Sequence, residues 1–191
     1  MTPRKSSQQE LTKEIILQEA DKQFTEQGFS QVSMRKVAKE LGCSHGALYY
    51  HYKNKAELFY EVVSSYFMKL DSMVDDVRAQ NDYPQEGIFN LFRCFLQFGL
   101  DHQSQYELMF MVKNTEVDTL TKAAANRSYD KFAQVLFECA PARASISDVY
   151  AAFVSLHGFV AHYIGRVKHF SEVEGAAQKH ILFLQKPFQA L

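Results

Sequence analysis

The sequence predicts an all-α chain: an N-terminal three-helix domain carrying a helix-turn-helix, followed by a larger helical domain. Three observations carry that expectation. Apolar residues recur at helical spacing from Ile16 to the C-terminal segment. No run alternates apolar and polar residues in the way a half-buried strand does. The few glycines and prolines, 8 and 4 in 191 residues, fall mostly at the ends of the helical runs, where they act as stop signals.

The chain opens on a polar arm, Met1 to Ser6, whose Arg4 and Lys5 suit a frayed terminus or a phosphate contact. Ser7-Gln8-Gln9-Glu10 fits a capping box for a first helix that runs to Gln27, buries Ile16, Leu17, Ala20 and Phe24, and stops at Gly28. Phe29 and Val32 then close a small core. Met34, Val37, Ala38 and Leu41 form one apolar stripe of a second, two-turn helix, with Ser33 as its N-cap. Gly42 can end that helix in the left-handed region, and Ser44 offers the next N-cap. On the third helix Leu48 and Tyr52 face inward, four residues apart, while His45, Gly46, Tyr49 and Tyr50 face outward. Two capped helices joined by a glycine turn make a helix-turn-helix, whose second helix enters the DNA major groove. An ordinary helical hairpin has little reason to expose Tyr49 and Tyr50 beside His45, His51, Lys53 and Lys55.

The segments Ser33-Met34-Arg35-Lys36-Val37-Ala38, Leu41-Gly42-Cys43-Ser44 and Leu48-Tyr49-Tyr50-His51-Tyr52, with Lys55, closely resemble the DNA-binding domain of the TetR (tetracycline repressor) family of bacterial transcription regulators. The resemblance covers about the first third of the chain. Cys43 stands where that family usually has Val, and Ala47 where it often has Thr, which removes a hydroxyl within reach of DNA. The expected reading surface is Arg35, Ser44, His45, Gly46, Ala47, Tyr49, Tyr50, His51 and Lys55. Within it Gly46 allows close backbone approach, Ala47 meets a thymine methyl, and Arg35 reaches DNA from the start of the first motif helix. Tyr49, His51 and Lys55 hold phosphates.

Charge is consistent with this division. The chain as a whole carries a net charge of -1, but residues 1–60 hold nine Lys or Arg against seven Asp or Glu. Cys43, Cys94 and Cys139 are widely spaced and form no Cys-x-x-Cys pair, so reduced thiols are expected. No signal peptide and no apolar run of about 20 residues is visible, which predicts a cytoplasmic protein with no membrane partner.

Asn54-Lys55-Ala56-Glu57 fits a second capping box, so the domain boundary is placed at residues 54 and 55, with the second domain spanning 55–191. A long helix runs from there to about Gln80 and links the two domains. After a break at Asn81-Asp82-Tyr83-Pro84, helices are expected over Ile88 to Leu100, Tyr106 to Val112, Val117 to Cys139, Ser147 to Phe170 and Glu172 to Gln185. These carry many large apolar side chains, which form either a Phe-rich core or an effector pocket. Phe92, Phe95, Tyr106, Phe110, Tyr129, His157 and Tyr163 are the candidate lining. Leu156-His157-Gly158 looks like a C-terminal subclass of the family in which Trp-His-Gly is typical, with Leu in place of Trp.

The resemblance implies a small, largely apolar effector and a homodimer built from the last two helices, whose Ala151, Ala152, Gly158, Ala161 and Gly165 would allow close approach. A dimer also suits a double-stranded palindromic operator, since one short helix contacts few base pairs. The function implied is that of a repressor released by its effector. Glu-x-x-His and His-Glu-x-x-His are absent, so no metal, cofactor or enzymatic site is expected. A cofactor carrier built on His157 or His162, and a nucleoid-type protein binding without sequence preference, remain the alternatives.

Overall fold

The computed structural model describes residues 11–80, 84–113, 115–140 and 144–189, and every regular element among them is helical. Helix α1, Lys13–Gln27, begins where the Thr12 hydroxyl accepts a hydrogen bond from the Ile15 N–H (3.3 Å), and ends at Gly28 with φ +76°. The arm and the cap expected at Ser7 lie outside the described residues. Ile16, Ala20 and Phe24 are buried as expected, whereas Leu17 is only partly so and Gln23 is buried beside them.

A short 3-10 turn, Phe29–Gln31, leads to α2, Met34–Glu40, and α3, His45–His51. Helix α4 then runs from Lys55 to Gln80. Its first two turns complete the N-terminal core: the Phe59 ring lies edge-on to Phe24 at 5.1 Å and to Phe29 at 4.7 Å, and Leu58 is fully buried. The first compact unit therefore ends at Val62, beyond the boundary drawn from the start of the helix. Seven- and fifteen-residue helices cannot close a core alone, and α4 supplies the missing apolar wall.

The second unit is organised around α5, Pro84–Asp101, which packs against α7 (Asp118–Cys139), α8 (Ile146–Tyr163) and α9 (Glu174–Leu184). Between α5 and α7 lies α6, Gln103–Phe110. Helix α5 buries Ile88, Leu91, Phe92, Phe95, Leu96, Phe98 and Leu100, so apolar residues occupy most of its circumference, as a central helix requires. Gly99 brings α8 close: a Cβ there would stand 2.8 Å from both methyls of the buried Val160. The α4 segment of this unit is tied to α7 by Asp71 with Ser128 (2.7 Å) and Arg78 with Glu138 (2.6 Å).

The last helices differ from expectation. The apolar spacing predicts one helix from Ser147 to Phe170, but α8 ends at Tyr163, and Gly165 adopts φ +73°. The Gln103 carboxamide fixes the exit, accepting from Gly165 N–H (2.9 Å) and donating to the Val167 carbonyl (2.8 Å). A 3-10 turn, Phe170–Val173, precedes α9, and another, Lys186–Phe188, follows it. Gly165 thus serves as a helix stop rather than as part of a close helical contact.

Candidate nucleic-acid interface

Local chemistry sets the helix-turn-helix. The Ser33 hydroxyl accepts from Lys36 N–H (3.3 Å) at the start of α2, whose Met34, Val37 and Ala38 are buried. Leu41 caps its C-terminus and is only half-buried. Gly42, at φ +62°, turns the chain, and Cys43 N–H bonds the Ala38 carbonyl (3.0 Å). Ser44 then caps α3, its hydroxyl oxygen accepting from Ala47 N–H (3.1 Å), so the oxygen expected to face DNA also holds the helix. Leu48 and Tyr52 anchor α3 inward.

The outward face is aromatic and open. Tyr50 is 88% exposed and Tyr49 43%; His45 and Gly46 are exposed beside them, and Ala47 and His51 are half-buried. The His45 ring meets Tyr49 edge-on at 4.6 Å, and Tyr50 meets His51 in the same way at 5.4 Å. These ring contacts hold the four side chains in two pairs on α3. Arg35 is exposed at the start of α2.

Two lysines, Lys55 half-buried and Lys36 exposed, bond the protein's own backbone instead. The Lys55 ammonium donates to the Phe29 carbonyl (3.0 Å) and lies 4.0 Å from the Phe29 ring centroid, so part of the donor capacity expected on a phosphate is directed at the core. Lys36 donates to the Gln31 carbonyl (2.7 Å) and fastens α2 to the preceding turn, a role the sequence does not signal. The second capping box is offset. Asn54 accepts from Glu57 N–H (2.8 Å), while the Glu57 carboxylate accepts from Lys53 N–H (2.6 Å), one residue ahead of the cap.

In the second unit the candidate effector residues divide. Phe95, Phe110 and Tyr106 surround His157 with ring-centroid distances of 5.0, 4.6 and 5.6 Å, and the Tyr106 hydroxyl hydrogen-bonds the His157 Nδ1. Burial lowers the His157 pKa to about 4, keeping it neutral, and pushes that of Tyr106 well above the phenolic range. Phe153, one turn before His157, completes the cluster at 4.4 Å; it is not among the candidate lining residues, although its spacing to His157 is visible in the sequence. Tyr129 reaches the cluster through Phe153 at 4.9 Å. Phe92 stacks on Phe132 and meets Phe188 edge-on, one layer away, and Tyr163 pairs with Phe159 and His162. The arrangement is a closely packed aromatic core with one satisfied polar pair. Among the described residues no His, Cys, Asp and Glu group can hold a metal, and no helix is long and apolar enough to cross a membrane.

Large apolar side chains also face solvent on the last two helices. Ile146, Tyr150 (60%) and Val154 line α8 at four-residue spacing, and Leu182 and Phe183 (63%) lie on α9.

Residues 16–62 match the profile of bacterial regulatory proteins of the tetR family, and residues 88–182 match a tetracyclin repressor-like C-terminal domain. An HTH-type transcriptional regulator of Staphylococcus aureus (strain MRSA252) is 34% identical over 89 residues, 44% of this chain and 46% of that protein. Another, YhgD of Bacillus subtilis (strain 168), is 28% identical over 108 residues, 56% of each chain. The chain thus spans about half the length of the curated relatives it matches. Among solved structures, the TetR family transcriptional regulator PfmR from Thermus thermophilus superposes with a TM-score of 0.67 at 19% identity, over 95% of this chain and 99% of that one. The fatty acid degradation regulator FadR from Bacillus halodurans gives 0.73 at 13% identity, over 89% and 94%. At such identities the superpositions establish the fold, and the two profiles, lying in order on the two compact units, establish the rest: the chain belongs to the TetR family of DNA-binding transcription regulators.

Proposed function

We propose that the protein is a cytoplasmic repressor that binds a palindromic operator as a homodimer and leaves it when a small, largely apolar effector binds. The observation that carries this reading is the outward face of α3. Folding gains nothing from an 88%-exposed Tyr50, yet both caps, the Gly42 turn and the Leu48 anchor combine to present it. Its chemistry suits the major groove, where Tyr50 and Ala47 meet base edges and thymine methyls and Gly46 leaves room for the backbone. Arg35, Ser44 and His45 extend the base-reading surface, while Tyr49, His51 and the remaining donors of Lys55 position it on phosphates.

The exposed apolar residues of α8 and α9 support a dimer in which two copies of this helix pair pack as four helices. A homodimer places two copies of α3 on half-sites about 34 Å apart, or a multiple of that. For the effector, the supporting feature is the Tyr106 and His157 pair on an otherwise apolar wall, which can orient one polar group of a ligand that parts the surrounding rings. Helix α4 contributes to both cores, so its position is the element each site can bias. Effector and DNA then weaken each other by the same factor.

Selection of bound sequences from random duplex DNA, followed by a salt series on the enriched site, tests the reading. A palindrome and a steep fall of affinity with salt are expected. Salt-sensitive binding with no enriched sequence would favour a nucleoid-type protein instead.

A further inference from the structure

A cavity lies apart from the His157 cluster, where α5 meets the 3-10 turn Phe170–Val173 and α9. It measures about 260 Å³ and is lined by Phe89, Arg93, Phe170, Glu174, Gln178 and Ile181. One wall is built in advance. Phe170 N–H bonds the Asp101 carboxylate (2.9 Å) at the end of α5, and Glu172 accepts from both Lys168 N–H (2.7 Å) and His169 N–H (3.0 Å). Together with the two Gln103 bonds these fix the segment that carries the Phe170 ring, which is buried. Ile181 gives an apolar floor and Phe89 a second aromatic side.

The polar group of the site is the Arg93 guanidinium. It donates to Glu174 (2.8 Å) and to Gln97 (3.2 Å), and it lies 5.2 Å from the Phe170 ring centroid. The Glu174 side chain is about half exposed, and surface ion pairs of that kind contribute little, so a second carboxylate displaces it easily. A guanidinium fork binds such a group through two parallel hydrogen bonds. The volume sets the size of the remainder: an apolar cavity of about 150 Å³ holds benzene, so this one has room for a single ring and its carboxylate.

We propose that the cavity binds a monocyclic aromatic carboxylate, with Arg93 holding the carboxylate in place of Glu174 and the ring lying against Phe89, Phe170 and Ile181. Such binding does not depend on the DNA-binding reading, and a ligand here bears on α9 from the side opposite its exposed Phe183.

Benzoate titrated into the full-length protein by calorimetry, with benzamidine and benzyl alcohol as same-sized controls, is the test. Saturable binding of benzoate alone is expected, weakened about tenfold or more in Arg93→Met and tightened up to about fivefold in Glu174→Gln. Nuclear Overhauser contacts from the benzoate ring to Phe170 locate it independently of any variant. No saturable binding, a preference for benzamidine, unchanged affinity in Arg93→Met, weaker binding in Glu174→Gln, or contacts to Phe153 and Phe110 instead would each overturn the proposal.

Discussion

Tyr49 and Tyr50 stand on the surface of α3, whereas Tyr106, in the C-terminal unit, is fully buried with its hydroxyl on His157. The same residue type is held by opposite means. The α3 tyrosines depend on a scaffold made elsewhere, by serine caps, a glycine turn and Leu48; the Tyr106 ring is itself scaffold, packed against Phe95 and Phe110 at 6.2 and 4.8 Å. Buried aromatic area stabilises a fold, and exposed aromatic area does not. Substitutions should therefore separate stability from sequence recognition according to the region they fall in.

The largest effect is expected at Phe95, which touches Tyr106, Phe110, Phe132, Phe153 and His157. Phe95→Ala should lower unfolding free energy by about 3–5 kcal/mol in urea while leaving the preferred DNA sequence unchanged. A shift in preference at normal stability would erase the distinction between the two regions.

Acid should act on the same core. Burial holds His157 neutral, with a pKa of about 4 against about 6.5 in the unfolded chain. As pH falls through 6.5 the unfolded chain takes up a proton that the native state refuses, so stability present above that value is lost progressively down to about pH 4. The full loss is about 3 kcal/mol. Urea melts of the wild type and His157→Gln across this window should diverge at neutral pH and converge in acid; parallel curves would show that His157 does not titrate as a buried neutral group.

Gly99→Ala should destabilise by about 1–3 kcal/mol, because the added methyl meets the two Val160 methyls at 2.8 Å and the Tyr106 ring at 3.2 Å. An unchanged melting temperature would mean that α5 and α8 part without cost. In the reading unit the expected loss is smaller: Ser33→Ala removes one cap hydrogen bond, worth about 1 kcal/mol, and should weaken all DNA sequences alike.

What the sequence reveals follows from the range of the interactions. The helix-turn-helix is legible because its caps, turn and apolar stripe act over three or four residues, as at Ser33, Gly42 and Ser44. The partner of Lys55 is Phe29, 26 residues away, so no local pattern points to it. At Gly165 the local signal is present but ambiguous: a glycine in an apolar run suits either a close helix contact or a helix stop, and Gln103, remote in sequence, decides between them. Likewise, the ring cluster around His157 draws on α5, α6 and α8. Composition announces many aromatic residues there without showing that Phe153 belongs to the cluster and Tyr163 does not.

Repeating the selection from random duplexes with Tyr50→Ala beside Tyr49→Phe tests most directly whether the exposed face of α3 reads bases. The account predicts that Tyr50→Ala keeps its folded stability within about 0.5 kcal/mol but changes or loses the preferred base at matching positions of both half-sites. Tyr49→Phe should weaken binding with the same preferred sequence. An unaltered consensus from the Tyr50→Ala protein would contradict the assignment of α3 as the reading helix.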